Sequence, residues 1–206
     1  MMKGMRVREL AERLQVAFEG NGDLEITRAM PVEEATAGDL AFAAGAKAAE
    51  MAAGSGAGCL IVEESFAAGG RTVMRAGNPR TVFAQALALL HPARRPAAGI
   101  DPSARIAATA RIGDGVSIAA FVSVGEGAEI GDGCVIGAGC AIGDFVKIGA
   151  GSVLHPRVTV YERVTIGARA ILHAGVVLGA DGFGFVRVGE GDQKFPQVGV
   201  VSLGDD

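Results

Sequence analysis

The chain has no tryptophan, and aromatic residues make up only 5% of its 206 positions. Layered globular cores are usually built on large rings. With 32 glycines alongside that shortage, the composition favours a repeat of stacked coils over a layered globule. Cysteine is also scarce: Cys59, Cys134 and Cys140 form no CxxC pair. That spacing excludes a dithiol redox motif, and the three read as small hydrophobes in a reducing compartment, with a cytoplasmic location expected. Positive charge is not concentrated. The net charge is −4, and residues 100–177 hold seven acids and six bases, so there is no basic stripe and no nucleic-acid partner is expected. No 18 uninterrupted apolar residues occur, so no transmembrane segment is expected. Met1 to Val16 lacks an apolar core before a cleavage site, so no signal peptide is expected.

What the sequence does have is a period of six. Thirteen consecutive hexapeptides run from Ile100 to Val177. Each opens on a large aliphatic, as at Ile112, Ile130 and Ile148, and four residues later carries a small or β-branched residue, as at Val116, Cys134 and Ser152. Glycine fills the second position seven times, from Gly113 to Gly167, where a side chain would be crowded or φ positive. Such a repeat predicts a parallel β-helix of three strands per 18-residue coil, with both marked positions inside. At about 4.8 Å per coil the prism is roughly 20 Å tall.

Residues 1–97 lack the period and predict a small mixed α/β domain. Its expected helices cover Val7–Val16, Lys47–Ala53 and Arg80–Leu90. Its expected strands cover Leu24–Ala29, Asp39–Ala43, Cys59–Val62 and Arg71–Arg75, with Gly77-Asn78-Pro79 as a turn. His91-Pro92 to Gly99 reads as a linker. Residues 98–206 form the second domain, and Gly179 to about Gln197 leaves the period as a loop. A loop of that length on a regular scaffold points to function.

Several motifs give the chain a family resemblance. They are Arg6-Val7-Arg8-Glu9-Leu10-Ala11, Gly20-Asn21-Gly22-Asp23, Asp101-Pro102-Ser103-Ala104 and Gly179-Ala180-Asp181-Gly182-Phe183-Gly184-Phe185, the last followed by Lys194-Phe195-Pro196-Gln197-Val198-Gly199. Together they resemble the UDP-3-O-(3-hydroxyacyl)glucosamine N-acyltransferase family of lipid A biosynthesis. The resemblance implies a left-handed β-helix and a homotrimer. It also implies a uridine-binding first domain and no cofactor or metal. The acceptor would be a UDP-glucosamine already carrying one 3-hydroxyacyl chain. The donor would be a 3-hydroxyacyl thioester on acyl carrier protein, with a His as general base toward the 2-amine.

By that resemblance Asp181, Phe183, Lys194 and Gln197 line the substrate cleft, and Phe42 and Lys47 belong to the uridine site. Gly45 and Ala48 stand where the family has Asn and Tyr, so weak uracil binding is expected. The family's His sits at the third position of a later hexapeptide. That places the base beyond Asp206, reads the chain as truncated, and leaves it no catalytic residue and little activity of its own. The alternative is a non-catalytic trimeric module for nucleotide-sugar binding or assembly. His155 and His173, 18 residues apart at second positions, should stack on one corner. His173 is a candidate base out of phase with the family's, and zinc would need a third ligand.

Overall fold

A computed structural model describes residues 4–92 and 95–206, which separate into two compact units, 1–94 and 95–206. Part of the expected linker and the first residues of the amino terminus lie outside the described residues.

Unit 1 opens with β1 (Met5–Arg6), α1 (Val7–Leu14), β2 (Ala17–Glu19), β3 (Glu25–Ile26) and β4 (Arg28–Ala29). It continues with β5 (Asp39–Ala43), α2 (Ala48–Gly54), β6 (Cys59–Val62), β7 (Val73–Arg75) and α3 (Pro79–Leu90). Five strands form one sheet in the order β2-β7-β6-β5-β4, parallel except for the β2–β7 edge. The unbroken apolar run Cys59-Leu60-Ile61-Val62 makes β6 a strand buried on both faces, as a central parallel strand must be. Alternation along β5 splits the core. Leu40 and Phe42 face the cluster with α1 and α3, while Ala41 and Ala43 face the cluster with α2.

Three expectations for this unit change. Leu24–Ala29 is not one strand. It breaks at Thr27, whose N–H goes to Gly38 O at 3.0 Å; β3 pairs with β1 and β4 joins the main sheet. Asn78-Pro79 is a helix start rather than a turn: Asn78 Oδ1 accepts the Thr81 N–H at 3.1 Å, and Pro79 occupies the first helical position. Strand β2 was not expected at all, since its three residues are exposed and carry no burial pattern.

One polar network lies inside this unit. Asp39 is fully buried. Its carboxylate accepts Arg28 Nε at 2.8 Å and Nη2 at 3.0 Å, the Thr36 N–H at 2.8 Å and the Thr36 hydroxyl at 2.7 Å. The Arg28 hydrogen bonds, helped by Thr36 and opposed by burial, hold this carboxyl below its usual range.

Unit 2 is a left-handed parallel β-helix. Its first face stacks Gly99–Ile100, Ser117–Ile118, Val135–Ile136, Val153–Leu154 and Ile171–Leu172. The second stacks Arg105–Ile106, Ser123–Val124, Ala141–Ile142, Thr159–Val160 and Val177–Leu178. The third stacks Arg111–Ile112, Glu129–Ile130, Lys147–Ile148, Thr165–Ile166 and Ser202–Leu203. The opening aliphatics from Ile118 to Leu172 are all buried. Ile100, expected inside, is half exposed, and Ile106 and Ile112 are partly so, because interior residues of the terminal coil have a coil on one side only.

The glycines divide by job. Those at second positions do not have positive φ; they are there for close approach. A Cβ on Gly149 would lie 2.4 Å from Ala168 N and 2.5 Å from Gly167 C. Positive φ belongs to the fourth position, in all eleven hexapeptides from Gly115 to Gly175, and at five of them a side chain is carried: Phe121, Phe145, Arg157, Arg163 and Arg169. From Phe145, Arg157, Arg163 and Arg169 the N–H reaches back to the third-position carbonyl of the coil before, as from Arg169 to Ala150 O at 2.9 Å, whereas the Phe121 N–H goes to Ser103 Oγ at 3.0 Å. Asp at the third position caps that earlier coil: Asp132 accepts the Asp114 N–H and Asp144 the Glu126 N–H, both at 2.8 Å.

The interior thiols are structural. Cys134 Sγ donates to Gly149 O and Cys140 Sγ to His155 O, both at 3.2 Å, and Ser152 Oγ does the same for Gly167 O at 2.9 Å. Burial raises both thiols and pushes Cys59 up to about 12, so all three stay protonated.

Two outcomes follow for the stability of unit 2 and one for that of unit 1. Gly149→Ala should destabilise unit 2 by about 3 kcal/mol, the upper end for overpacking against a backbone that has little room to shift. Gly115→Ala, with open space but a φ of +67°, should cost about 1 kcal/mol. The single tyrosine, Tyr161, lies in this unit, so tyrosine emission during urea unfolding measures both. In unit 1, Asp39→Ala should remove about 2–3 kcal/mol by losing charged hydrogen bonds and leaving the Thr36 N–H unpaired. Because the folded carboxyl titrates low, its contribution is complete above about pH 4, the unfolded value. It fades as pH falls through the folded value. Among the described residues all α-helices lie in unit 1, so far-ultraviolet circular dichroism against pH isolates the effect, which Asp39→Ala should abolish.

Candidate functional site

The second face of the prism ends where the chain leaves it. Gly179 turns at φ +81°, and the next strand to rejoin the prism, Ser202–Leu203, stacks on Thr165–Ile166 with an offset of 37 residues. A regular coil would use 18, so the excursion inserts 19. Inside it, Phe185–Val188 and Gly191–Lys194 form an antiparallel hairpin. Return to the prism is in full register: Asp205 Oδ1 accepts the Ala168 N–H at 2.8 Å, and Asp206 binds Arg169 through both oxygens at 2.6 and 2.7 Å.

Between the hairpin loop and the second face lies a groove of about 480 Å³. The floor is Ser123, Ala141, Ile142, Thr159 and Val160. One side is Asp144, Tyr161, Glu162 and Arg163, and the loop adds Gly179, Asp181, Gln197 and Gly199. A smaller hollow of about 190 Å³ runs on beneath the loop toward Val164 and Val200. The third face carries a hollow of about 460 Å³, but no loop covers it. Its outward ladder is already paired, Arg111 to Glu129 at 3.3 Å and Lys147 to Glu129 at 3.9 Å.

Asp181 and Gln197, both expected at the site, come together in the groove. Lys194 Nζ is ion-paired with Asp181 across the base of the hairpin. Gln197 lies against Gly182 and Gly184, where a Cβ would come within 3.3 Å of its amide. Phe183 is 98% exposed, 5.2 Å from the Phe185 ring, and does not line the groove. Its neighbours Phe185, Phe195, Val198 and Val200 are also exposed. His173 is elsewhere, on the edge of the first face, with its ring 5.1 Å from that of His155 and parallel within 6°. Parallel rings at that spacing cannot converge on one ion, and no group of three or more His, Cys, Asp or Glu among the described residues could hold a metal. No histidine or cysteine lines the groove.

Sequence reasoning missed Tyr161, Glu162, Arg163 and Thr159. The signal was there in Val160–Thr165: Tyr-Glu-Arg fills positions two to four, where Ile112–Ser117 has Gly-Asp-Gly.

Unit 1 has its own cleft of about 270 Å³, lined by Gly45, Ala46, Ala48, Glu63 and Phe66 among others. Gly45 donates its N–H to Glu63 Oε1 at 3.0 Å. Gly45 and Ala48 both line this cleft, but Phe42 does not join them. Alternation along β5 turns it to the opposite face, where it is half-buried with its ring 5.0 Å from that of Phe83. Lys47 is exposed at the start of α2. The aromatic ring in this cleft is Phe66.

Residues 23–89 match the family model described as UDP-3-O-(3-hydroxymyristoyl) glucosamine N-acyltransferase. Residues 109–144 and 145–180 each match bacterial transferase hexapeptide, six repeats. The UDP-3-O-acylglucosamine N-acyltransferase of Paracidovorax citrulli is 41% identical over 211 residues, covering 98% of this chain and 57% of its own length. UDP-3-O-acylglucosamine N-acyltransferase 3 of Gloeobacter violaceus is 52% identical over 202 residues, covering 98% and 59%. The chain thus spans less than two thirds of the length of these relatives. A mutant of perosamine N-acetyltransferase from Caulobacter crescentus, solved with CoA and GDP-perosamine, aligns over 92% of both chains at 17% identity with a TM-score of 0.36. No helix among the described residues is long and apolar enough to cross a membrane.

The Asp181–Lys194 pair is about half exposed on both sides, so it should hold the loop only weakly. Asp181→Asn should speed hydrogen exchange at the Phe195 amide, which bonds Gly184 O at 2.8 Å, by no more than about fivefold. An increase above about tenfold, measured by mass spectrometry of loop peptides, would mean that this pair carries more than an exposed ion pair does.

Proposed function

The chain belongs to the family of UDP-3-O-acylglucosamine N-acyltransferases, and from that premise we propose that it serves acyl transfer to a nucleotide-linked amino sugar. The donor in this reading is a 3-hydroxyacyl thioester on acyl carrier protein. The acceptor is UDP-3-O-(3-hydroxyacyl)glucosamine, and the working form is a cytoplasmic homotrimer. The 2-amine attacks the thioester carbonyl, the oxyanion forms and collapses, and the carrier thiolate leaves as the amide is made. A general base removes the amine proton, and backbone N–H groups hold the oxyanion.

One observation carries the reading. The two motifs of the resemblance that follow the repeats, Gly179–Phe185 and Lys194–Gly199, fold into one loop and bring Asp181 and Gln197 to one groove. Lys194, released from Asp181, is the cation for a substrate phosphate, and the exposed rings of Phe183 and Phe185 receive acyl chain. Uridine falls to the unit 1 cleft beside Gly45 and Ala48, where Phe66 and not the Phe42 of the resemblance supplies the ring. The bare wall at Gly45 and Ala48 makes that grip weak, by roughly 0.5–1.5 kcal/mol for a lost aromatic contact.

The groove has no imidazole, and both prism histidines are turned to each other. The 206-residue chain alone should therefore turn over about 10²–10⁴-fold below a member of the family with its base in place. The assay runs this chain beside the intact Gloeobacter violaceus relative, with 3-hydroxyacyl carrier protein and the acylated UDP-glucosamine, and follows the N-acylated product by mass spectrometry. Robust turnover by the chain, abolished by His173→Ala, would make His173 the base and overturn this account of the site. Failure of the chain to bind either UDP or the carrier would overturn the family's reaction as its role.

A further inference from the structure

The groove contains more chemistry than the loop motifs supply. We infer that Tyr161 and Arg163, with Asp144 beside them and Asp181 across the groove, form a subsite for a phosphorylated amino sugar; the assignment rests on the acyl-transfer reading and says which residues hold the hexosamine.

Tyr161 stands at a second position, the place where most coils have glycine because the next coil's backbone lies too close for a side chain. Below Tyr161 the next coil does not follow the repeat. Leu178 still keeps its place in the ladder, its carbonyl accepting the Tyr161 N–H at 2.9 Å, and the chain then turns away at Gly179 with φ +81°. A Cβ on Gly179 would lie 3.0 Å from Tyr161 Cβ, so the glycine there is what lets ring and loop coexist. The ring is left 47% exposed on the groove wall. A tyrosine so placed offers a flat apolar surface and a polar tip, which matches the C–H face and hydroxyl rim of a pyranose.

Arg163 is two residues on, at a fourth position with φ +61°. Six of the eleven such positions are glycine, so a side chain here is kept against backbone strain, a pattern that concentrates at functional sites. Among the described residues its guanidinium meets only Glu162, by one nitrogen at 2.9 Å with both groups half exposed. A pair of that kind yields readily, freeing a fork that matches a phosphoryl group. By contrast Arg169, on the same coil, is committed to Asp205 and Asp206.

The groove is not simply basic. Glu162 accompanies Arg163 and Lys194 accompanies Asp181, while one oxygen of Asp144 accepts the Glu126 N–H. A plain anion would meet these three carboxylates unfavourably. A zwitterion with an ammonium and a phosphate on one ring meets both signs, and an amino sugar phosphate is such a molecule. The free amine is also the group the proposed reaction consumes.

The chain makes its own reporter, since Tyr161 is its single tyrosine and tryptophan is absent. Titration with glucosamine 1-phosphate should change tyrosine emission saturably, with a dissociation constant on the order of 1 mM. Glucose 1-phosphate and N-acetylglucosamine 1-phosphate, which lack the ammonium, should bind at least about fivefold more weakly, and Arg163→Met should weaken glucosamine 1-phosphate about tenfold or more. Arg157→Met, an exposed arginine on the same coil outside the groove, should leave binding unchanged. Equal binding of all three sugars would overturn the carboxylates' part, and equal loss in Arg157→Met would overturn that of Arg163. If glucosamine 1-phosphate leaves the emission unchanged while UDP binds by calorimetry, the subsite falls and the acyl-transfer reading stands. If neither binds, both fall.

Discussion

Each coil of the prism lies directly on the next, backbone to backbone, and that close approach governs the rest of unit 2. It leaves no room for a Cβ at most second positions, forces the fourth position into the left-handed region, and sets an interior that takes one large and one small side chain per hexapeptide. Amide groups are consumed in the same way at every level, from second position to first and from sixth to fifth on the neighbouring coil. A scaffold made this way is rigid because no part of the repeat can move without opening a ladder above and below it.

Rigidity of that kind confines variation to outward positions, and the three faces use theirs differently. The third face spends its ladder on mutual ion pairs, Arg111, Glu129 and Lys147. The first turns the partly buried Val135 and Val153 and the exposed Ile171 outward beside the stacked histidines. Only the second face keeps small residues, Ser123, Ala141 and Thr159, beneath a loop, and small residues under a loop make a groove. The loop exists because Gly179 abandons the period. Its return at Ser202 restores the register, down to an Asp cap at Asp205 and a positive φ at Asp206. The site is therefore the place where the stacking constraint is lifted for one coil.

Unit 1 relies on a different device. Its parallel sheet is short, and the connection into β5 is held by a buried carboxylate that ties Arg28 and Thr36 to one strand end. Arg71 closes the end of α2 through the carbonyls of Ala52 and Ser55. These polar contacts fix the backbone around the cleft at Gly45 and Ala48. The cleft wall itself carries little more than alanine and glycine, so its shape comes from the backbone and from Phe66 and Glu63 facing it.

The prism was legible in the sequence, and so was the stacking of His155 on His173, because both follow from a fixed offset of 18 residues. The strands Asp39–Ala43 and Cys59–Val62 were legible from apolar pattern alone. Asp181 and Gln197 could be named from the motifs, but not the residues that face them. Tyr161 and Arg163 meet Gln197 only because the excursion folds back by its own hairpin and rejoins the third face after 37 residues. The direction of Phe42 was likewise settled by which side of β5 the helices α1 and α3 cover. A local period propagates from one hexapeptide to the next and can be read in order. The partners across a groove are chosen by contacts remote in sequence, and those existed only once the chain had folded.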